Sequence, residues 1–267
     1  MEIQIHAKTN TDLELAEQLA EHLFARGVFA QVSKVFSEEA KLVYSDAAPQ
    51  TTGLHLSYEN GVLSLCDEKL SMCGNFEEQL PRIEKEKWRH EMLVKAVKMK
   101  QKSGPLRIVD ATAGMGEDSI LLAAAGHEVT LCEYDPIISA LLANALTRAK
   151  TSSKLAPFIK RMHFVEGDSI AYLSGQMQGQ SPDVVFLDPM FPERQKSGLI
   201  KKKFQLLQQL ESPCTNEEEL FAAALLSKTA KIVVKRPAKG PFLAGKKPDY
   251  SVEGKAIRYD CYINLNR

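Results

Sequence analysis

Apolar and polar residues alternate over Ile3–His6, over Leu54–Tyr58 and over Val62–Leu65, a period that predicts short strands with one buried face. Glu59-Asn60-Gly61 joins the last two and carries an Asn-Gly hairpin signal. Over Asp12–Phe24 the spacing becomes helical, with Leu13, Leu15, Leu19, Leu23 and Phe24 after a Thr/Asp start. Val28–Val35 and Leu42–Tyr44 also read as strands, so residues 1–80 form a small α+β unit. From Pro81 to Lys102 the pattern predicts one basic helix, with Trp88, Met92, Leu93, Ala96 and Val97 on or near one side. Trp88 is read there as a core anchor between the small unit and the main domain.

Beyond Lys102, strands and helices take turns. Arg107–Asp110, Glu128–Glu133, Arg161–Glu166 and Val184–Leu187 read as strands, separated by helical Glu117–Ala125, Pro136–Lys150 and Ser169–Leu173. That rhythm predicts an α/β domain over residues 81–267, a doubly wound, mostly parallel sheet. Lys196–Leu210 and Glu217–Lys228 look helical, Lys231–Lys235 is a further strand, and Tyr250–Glu253 with Ala256–Tyr262 forms a hairpin at one edge.

Four apolar residues, Val184 to Leu187, run into Asp188-Pro189-Met190-Phe191-Pro192. Pro189 has no backbone N–H and ends the ladder. Asp188 is thereby left at a strand's carboxyl end, where open α/β sheets bind ligands. Its carboxylate can accept from an exocyclic amine, the Pro189 carbonyl can accept the second hydrogen, and Phe191 can stack on a planar base. The competing reading is a rigid strand-to-loop turn with a capping Asp.

The upstream run Leu106-Arg107-Ile108-Val109-Asp110-Ala111-Thr112-Ala113-Gly114-Met115-Gly116 is a strand leading into a glycine loop at a helix start. Gly114 and Gly116 permit a tight turn and close approach to a ligand. Glu133, 17 residues beyond Gly116, ends the next strand, where an acid can accept from both hydroxyls of a ribose. Dinucleotide folds share these parts, but Ser119 stands where their third glycine would be. Glu117 and Asp118 would repel a pyrophosphate, yet either can accept from an ammonium group. The loop therefore suits the cationic cofactor S-adenosylmethionine. Asp168, after the third strand, can accept from an adenine amine with Ser169 beside it; an N-cap role is the alternative reading, and the two are compatible.

Net charge is zero but unevenly spread: residues 1–80 hold 13 acids against 5 bases, whereas 82–107 hold 9 bases against 3 acids and 190–260 hold 14 against 8. The two basic stretches would draw a polyanion if folding gathers them on one side. Lys196, Lys201 and Lys202 follow the Asp188 loop, and Lys235-Arg236 follows an apolar strand, which makes these five the candidate contacts to the phosphates of such a polyanion. A solvated helix face is the competing reading for 201–203. The five cysteines form no C-x-x-C pair and the histidines show no ligand spacing, so no metal is assigned. No apolar run approaches the ~20 residues a membrane span needs, and the N-terminus has no signal-peptide pattern, so a cytoplasmic protein is expected.

On Val109–Gly116, Leu187–Pro192, Lys196-Ser197…Lys201-Lys202 and Val233-Val234-Lys235-Arg236-Pro237, the chain resembles the RsmJ family, guanine-N2 methyltransferases of small-subunit ribosomal RNA. The resemblance implies a Rossmann-like S-adenosylmethionine-dependent methyltransferase fold and a guanosine of 16S ribosomal RNA, free or in the small subunit, as acceptor. It implies cofactor contacts at Glu117 and Asp118, Glu133 and Tyr134, Asp168 and Ser169, and Asp188. The chain departs from the family at Glu84–His90, where members carry an arginine- and glycine-rich segment. It departs again at Glu117-Asp118 and Glu133-Tyr134, where members have Arg-Asp and Glu-Arg. Rival readings are an amino-methyltransferase acting on DNA adenine or cytosine or on protein glutamine, a nicotinamide-dependent oxidoreductase, and a non-catalytic RNA-binding protein.

Overall fold

The computed structural model describes residues 1–35, 53–176, 181–189, 206–207, 209–210 and 216–264. Its contacts divide the chain into two compact units. The first takes Met1–Gly74 together with Asp135–Thr147 and the described residues of 206–210, so it ends a few residues before the expected boundary and recruits a later helix. Five strands, β1 (Glu2–Ala7), β2 (Phe29–Lys34), β3 (His55–Glu59), β4 (Val62–Cys66) and β5 (Ser71–Cys73), form one sheet in the order β2-β1-β3-β4-β5. β1 runs parallel to β2 and β3, and the rest pair antiparallel.

Ile3, Ile5, Leu56, Leu63 and Leu65 are buried with Ala16, Leu19 and Leu23 of the helix Asn10–Ala25, which Thr9 caps. Asn60 and Gly61 both have positive φ, the turn that an Asn-Gly pair favours. Asp12, fully buried, accepts from the Gly61 N–H at 2.8 Å and the Asn60 N–H at 3.2 Å and ties that turn to the helix start. The expected strand Leu42–Tyr44 lies outside the described residues.

The second unit is built on seven strands: β6 (Arg107–Asp110), β7 (Glu128–Glu133), β8 (Met162–Glu166), β9 (Val184–Leu187), β10 (Lys231–Pro237), β11 (Tyr250–Glu253) and β12 (Ile257–Ile263). They lie in the order β11-β12-β10-β9-β6-β7-β8. β8, β7, β6, β9 and β10 are mutually parallel, while β12 runs antiparallel to both β10 and β11. The expected hairpin is present with β12 inside the sheet and β11 at its edge. Val184 to Leu187 are all buried, as a strand covered on both faces requires, and each such side chain contributes about 1.5–3 kcal/mol.

The helix Glu217–Leu226 covers one face, packing Leu220, Phe221 and Ala224 with Val109, Val185, Ile232 and Val234. The helix Glu117–Ala124 lies on the other. Strand order reverses between β6 and β9, which sets a crevice at their carboxyl ends.

The single helix expected over 81–102 is broken. A short helix, Leu80–Ile83, leads into a 3-10 segment, Glu84–His90, and then into the helix Met92–Val97. A continuous helix would carry the face of Ile83, Val94 and Val97 through Lys87 and His90, which offer no apolar contact. The chain instead turns at Lys85 and Glu86, both with positive φ, and Arg82 forks onto Glu91 at 2.9–3.0 Å to close the bend. Trp88 is half-buried beneath the Arg89 guanidinium, 5.2 Å from its ring, and is not the core anchor expected of it.

Candidate active site

The glycine loop lies across the crevice. Gly114 has φ +52° and Gly116 φ +74°, conformations that cost a residue with a side chain. A Cβ built on Gly114 would meet nothing within 4 Å, so the loop leaves open space on that side. The Gly114 N–H donates to Glu133 Oε2 at 2.8 Å, which fixes an acid from the end of β7 against the loop.

Asp110, at the end of β6, is buried, and burial raises its pKa to about 7. Ser119 Oγ donates to it at 2.6 Å and the Thr112 N–H at 3.3 Å. Ser119 occupies the place of a third glycine because it holds this carboxyl.

Asp188 follows β9. Its N–H donates to Thr112 Oγ1 at 2.6 Å, and its side chain remains 37% exposed. The Lys235 ammonium, from β10, lies 2.8 Å from Asp188 Oδ2 and 2.7 Å from Asp118 Oδ2. Burial opposes the lysine's charge, but the two carboxylates outweigh it and push its pKa upward. Buried Tyr259 of β12 stands beside the group; burial first, then Asp118, raises its phenol. Arg82, His90, Met92, Asp118, Lys235 and Tyr259 help line a cavity of about 380 Å³.

Asp110, Gly114, Glu117, Asp118, Glu133, Asp188 and Pro189 therefore lie at the carboxyl end of the central strands. Asp168 is exposed at the end of β8 and accepts from the Ile170 N–H at 2.9 Å, the N-cap geometry; Ser169 beside it is buried. Tyr134, after β7, is 71% exposed. Phe191, Lys196, Lys201 and Lys202 lie outside the described residues.

Two of the expected phosphate contacts are corrected. Arg236 is 1% exposed and pairs with Glu217 on both arms at 3.2 Å. β10 continues through Pro237 because β12 pairs with it that far, so Arg236 is still inside the sheet. Lys235, on the opposite side of the same strand, turns into the crevice toward Asp118 and Asp188 rather than outward. Thr112, Tyr259 and Arg82 were not picked out from sequence. Thr112 had a signal, a hydroxyl two residues after the strand-end acid; the other two had none.

The group these residues suit is S-adenosylmethionine. An acid at the end of β7 matches ribose hydroxyls, and the loop has no Cβ at Gly114 to fill the approach. Asp118 and Asp188 already hold one ammonium between them, so the donor set accepts a cationic group. Strand order, glycine loop and acids after β6, β7, β8 and β9 define a Rossmann-like S-adenosylmethionine-dependent methyltransferase.

Comparison with known proteins specifies it further. Residues 39–264 match the family described as "Putative SAM-dependent methyltransferase". The ribosomal RNA small subunit methyltransferase J of Pseudomonas fluorescens is 44% identical over 172 residues, 64% of this chain and 65% of that protein. The protein of the same name from Thioalkalivibrio sulfidiphilus is 43% identical over 175 residues, 66% and 68% of the two chains. The matched region thus spans about two thirds of these relatives' length. The crystal structure of a SAM-dependent methyltransferase from Neisseria gonorrhoeae superposes with a TM-score of 0.73 at 26% identity, covering 99% of this chain and 97% of that one. The chain belongs to the RsmJ family of S-adenosylmethionine-dependent methyltransferases.

Proposed function

We propose that this chain methylates the exocyclic N2 amine of a guanosine in 16S ribosomal RNA. The observation that carries the reading is Asp188, fixed at the switch point by Thr112 and Lys235 and followed at once by Pro189. S-adenosylmethionine, when bound, supplies an electrophilic methyl group. The Asp188 carboxylate accepts from one amine N–H and the Pro189 carbonyl from the other, which turns the nitrogen lone pair out of the ring and toward that methyl. Orientation and fixed charge then lower the barrier. Having given up its methyl, the donor would be left as a neutral thioether, and the methylated amine would carry one surplus proton. The surplus proton on nitrogen passes to Asp188 and on to water, which its exposed edge allows.

Glu133 would hold the ribose, Asp168 and Ser169 the adenine edge with Tyr134 against its ring, and Glu117 and Asp118 the ammonium end. Phe191 would stack the target base, and Lys196, Lys201 and Lys202 would meet RNA phosphates. The small ribosomal subunit or its RNA is then the partner and the cytoplasm the place of action. Among the described residues, no helix is long and apolar enough to cross a membrane.

The test is transfer of radiolabelled methyl to small subunits lacking their own methylation, followed by nucleoside analysis. Labelled N2-methylguanosine supports the reading. Label in N6-methyladenine or in glutamine keeps the Asp188 chemistry and overturns the acceptor.

A further inference from the structure

We infer that Lys235 is a positioning residue for methyl transfer: a single ammonium, largely withdrawn from solvent, locks Asp118 and Asp188 in place on either side of it. The inference rests on the methyltransferase reading of this crevice and assigns the lysine a task within it. Lys235 Nζ is 2.7 Å from one carboxylate and 2.8 Å from the other, so the two oxygens lie within about 5.5 Å of each other. Side-chain exposures of 23% for Lys235 and 17% for Asp118 leave that pair little water to screen it, while Asp188, 37% exposed, keeps one edge to solvent. One of the acids begins the helix after the glycine loop and the other ends β9, so the lysine from β10 joins three elements at their functional ends.

Two carboxylates held this near each other disfavour one another's ionisation once no cation stands between them. A protonated Asp188 has lost the acceptor that orients the amine. Among the described residues, the other groups facing this cluster do not take the place of the ammonium. Glu117 and Glu91 are acids, Asp110 is a buried acid, and Arg82, which also acts on Asp118, is already forked onto Glu91. Tyr259 is a phenol, and His90 is an exposed imidazole at the cavity wall.

The experiment is the pH dependence of kcat and of RNA KM for wild type, Lys235→Met and Lys235→Arg. In the Met variant kcat at pH 7 is expected to fall at least tenfold and recover as pH rises. Its acidic limb should move up by at least one pH unit with RNA KM within threefold, and the Arg variant should keep the wild-type limb. A tenfold rise in RNA KM with unchanged kcat and limb would make Lys235 a phosphate contact and overturn the inference. A fall in thermal stability with an unmoved limb would make it merely structural. Calorimetry of S-adenosylhomocysteine binding in buffers of different ionisation enthalpy needs no acceptor. Proton release near pH 7 should accompany binding in the Met variant, as the ligand's ammonium takes the lysine's place beside Asp118, and not in wild type; equal release in both would also overturn the inference. An inactive wild type would count against the RNA acceptor while calorimetry still decided Lys235.

Discussion

Arg236 and Glu217 meet as a fork, Nη1 to Oε1 and Nη2 to Oε2 both at 3.2 Å, between the middle of a sheet and the start of the helix that covers it. The side chain of Arg236 is fully buried, so its charge has exchanged water for protein partners, with the Glu217 carboxylate foremost and Asp260 also acting on it. Lys235, one residue earlier, projects from the opposite face of β10 to Asp118 and Asp188. Adjacent cations in one strand thus serve a core and an active site.

Glu217→Ala should therefore destabilise the protein strongly, by about 3 kcal/mol, because a buried guanidinium loses the carboxylate it forks onto. Arg236→Met should cost less, since it removes the charge along with the need to pair it. Denaturant unfolding measures both, and the Met variant should retain the wild-type salt dependence of RNA binding. A steeply altered salt slope would return Arg236 to the RNA surface.

Asp110 makes stability depend on pH in a set direction. Burial holds its folded pKa at about 7, above the ordinary 3.8 of the unfolded chain. Between those values the native state keeps a proton that the unfolded state has released. Stability should therefore fall as pH rises from about 4 to about 7, by up to ~1.4 kcal/mol per pH unit, and level off above. Asp110→Asn, which keeps an acceptor for Ser119, should flatten that slope in thermal melts taken across the range.

Gly114→Ala should separate folding from ligand binding. Its φ of +52° costs an alanine about 1 kcal/mol, but the added methyl meets no protein atom within 4 Å. A small drop in Tm is expected, together with at least a tenfold loss of S-adenosylmethionine affinity by calorimetry. Unchanged affinity would move the cofactor away from this loop.

Asp188→Asn keeps the shape but loses the charge. Methyl transfer should fall about a hundredfold or more, the scale of removing one fixed electrostatic contact, with RNA affinity within a few fold. A filter-binding titration beside the transfer assay tests this; parallel loss of both would make Asp188 a binding or folding residue.

The strand ends were readable because two rules act locally there. A buried parallel strand must be apolar, as Val184 to Leu187 are, and a polar residue directly after it must emerge at the sheet's edge. Asp110, Glu133 and Asp188 followed from that. The same rule failed at Lys235-Arg236 because β12 pairs three residues beyond the apolar run, Lys235 opposite Tyr259, Arg236 opposite Arg258 and Pro237 opposite Ile257. Pairing with a strand more than twenty residues away leaves no mark on β10 itself. The bend at Lys85 and Glu86 was equally hidden, since left-handed backbone is normally announced by glycine and neither residue is one. Lys231 reads as a surface charge, yet it is buried and donates to the carbonyls of Ala96 and Lys98 at the end of the helix Met92–Val97.

β12 is the last of the seven strands to be synthesised and yet lies between β10 and β11. Its Arg258 donates to the carbonyls of Pro237, Ala238 and Gly240, securing the turn that leaves β10, and its Tyr259 stands beside Lys235. On the ribosome, β6 to β10 can assemble as they emerge, but β11 must wait for a neighbour and the cavity for one of its walls. A nascent chain that stalls before residue 257 would therefore carry the glycine loop and Asp188 without the Ile257 and Tyr259 wall of the pocket.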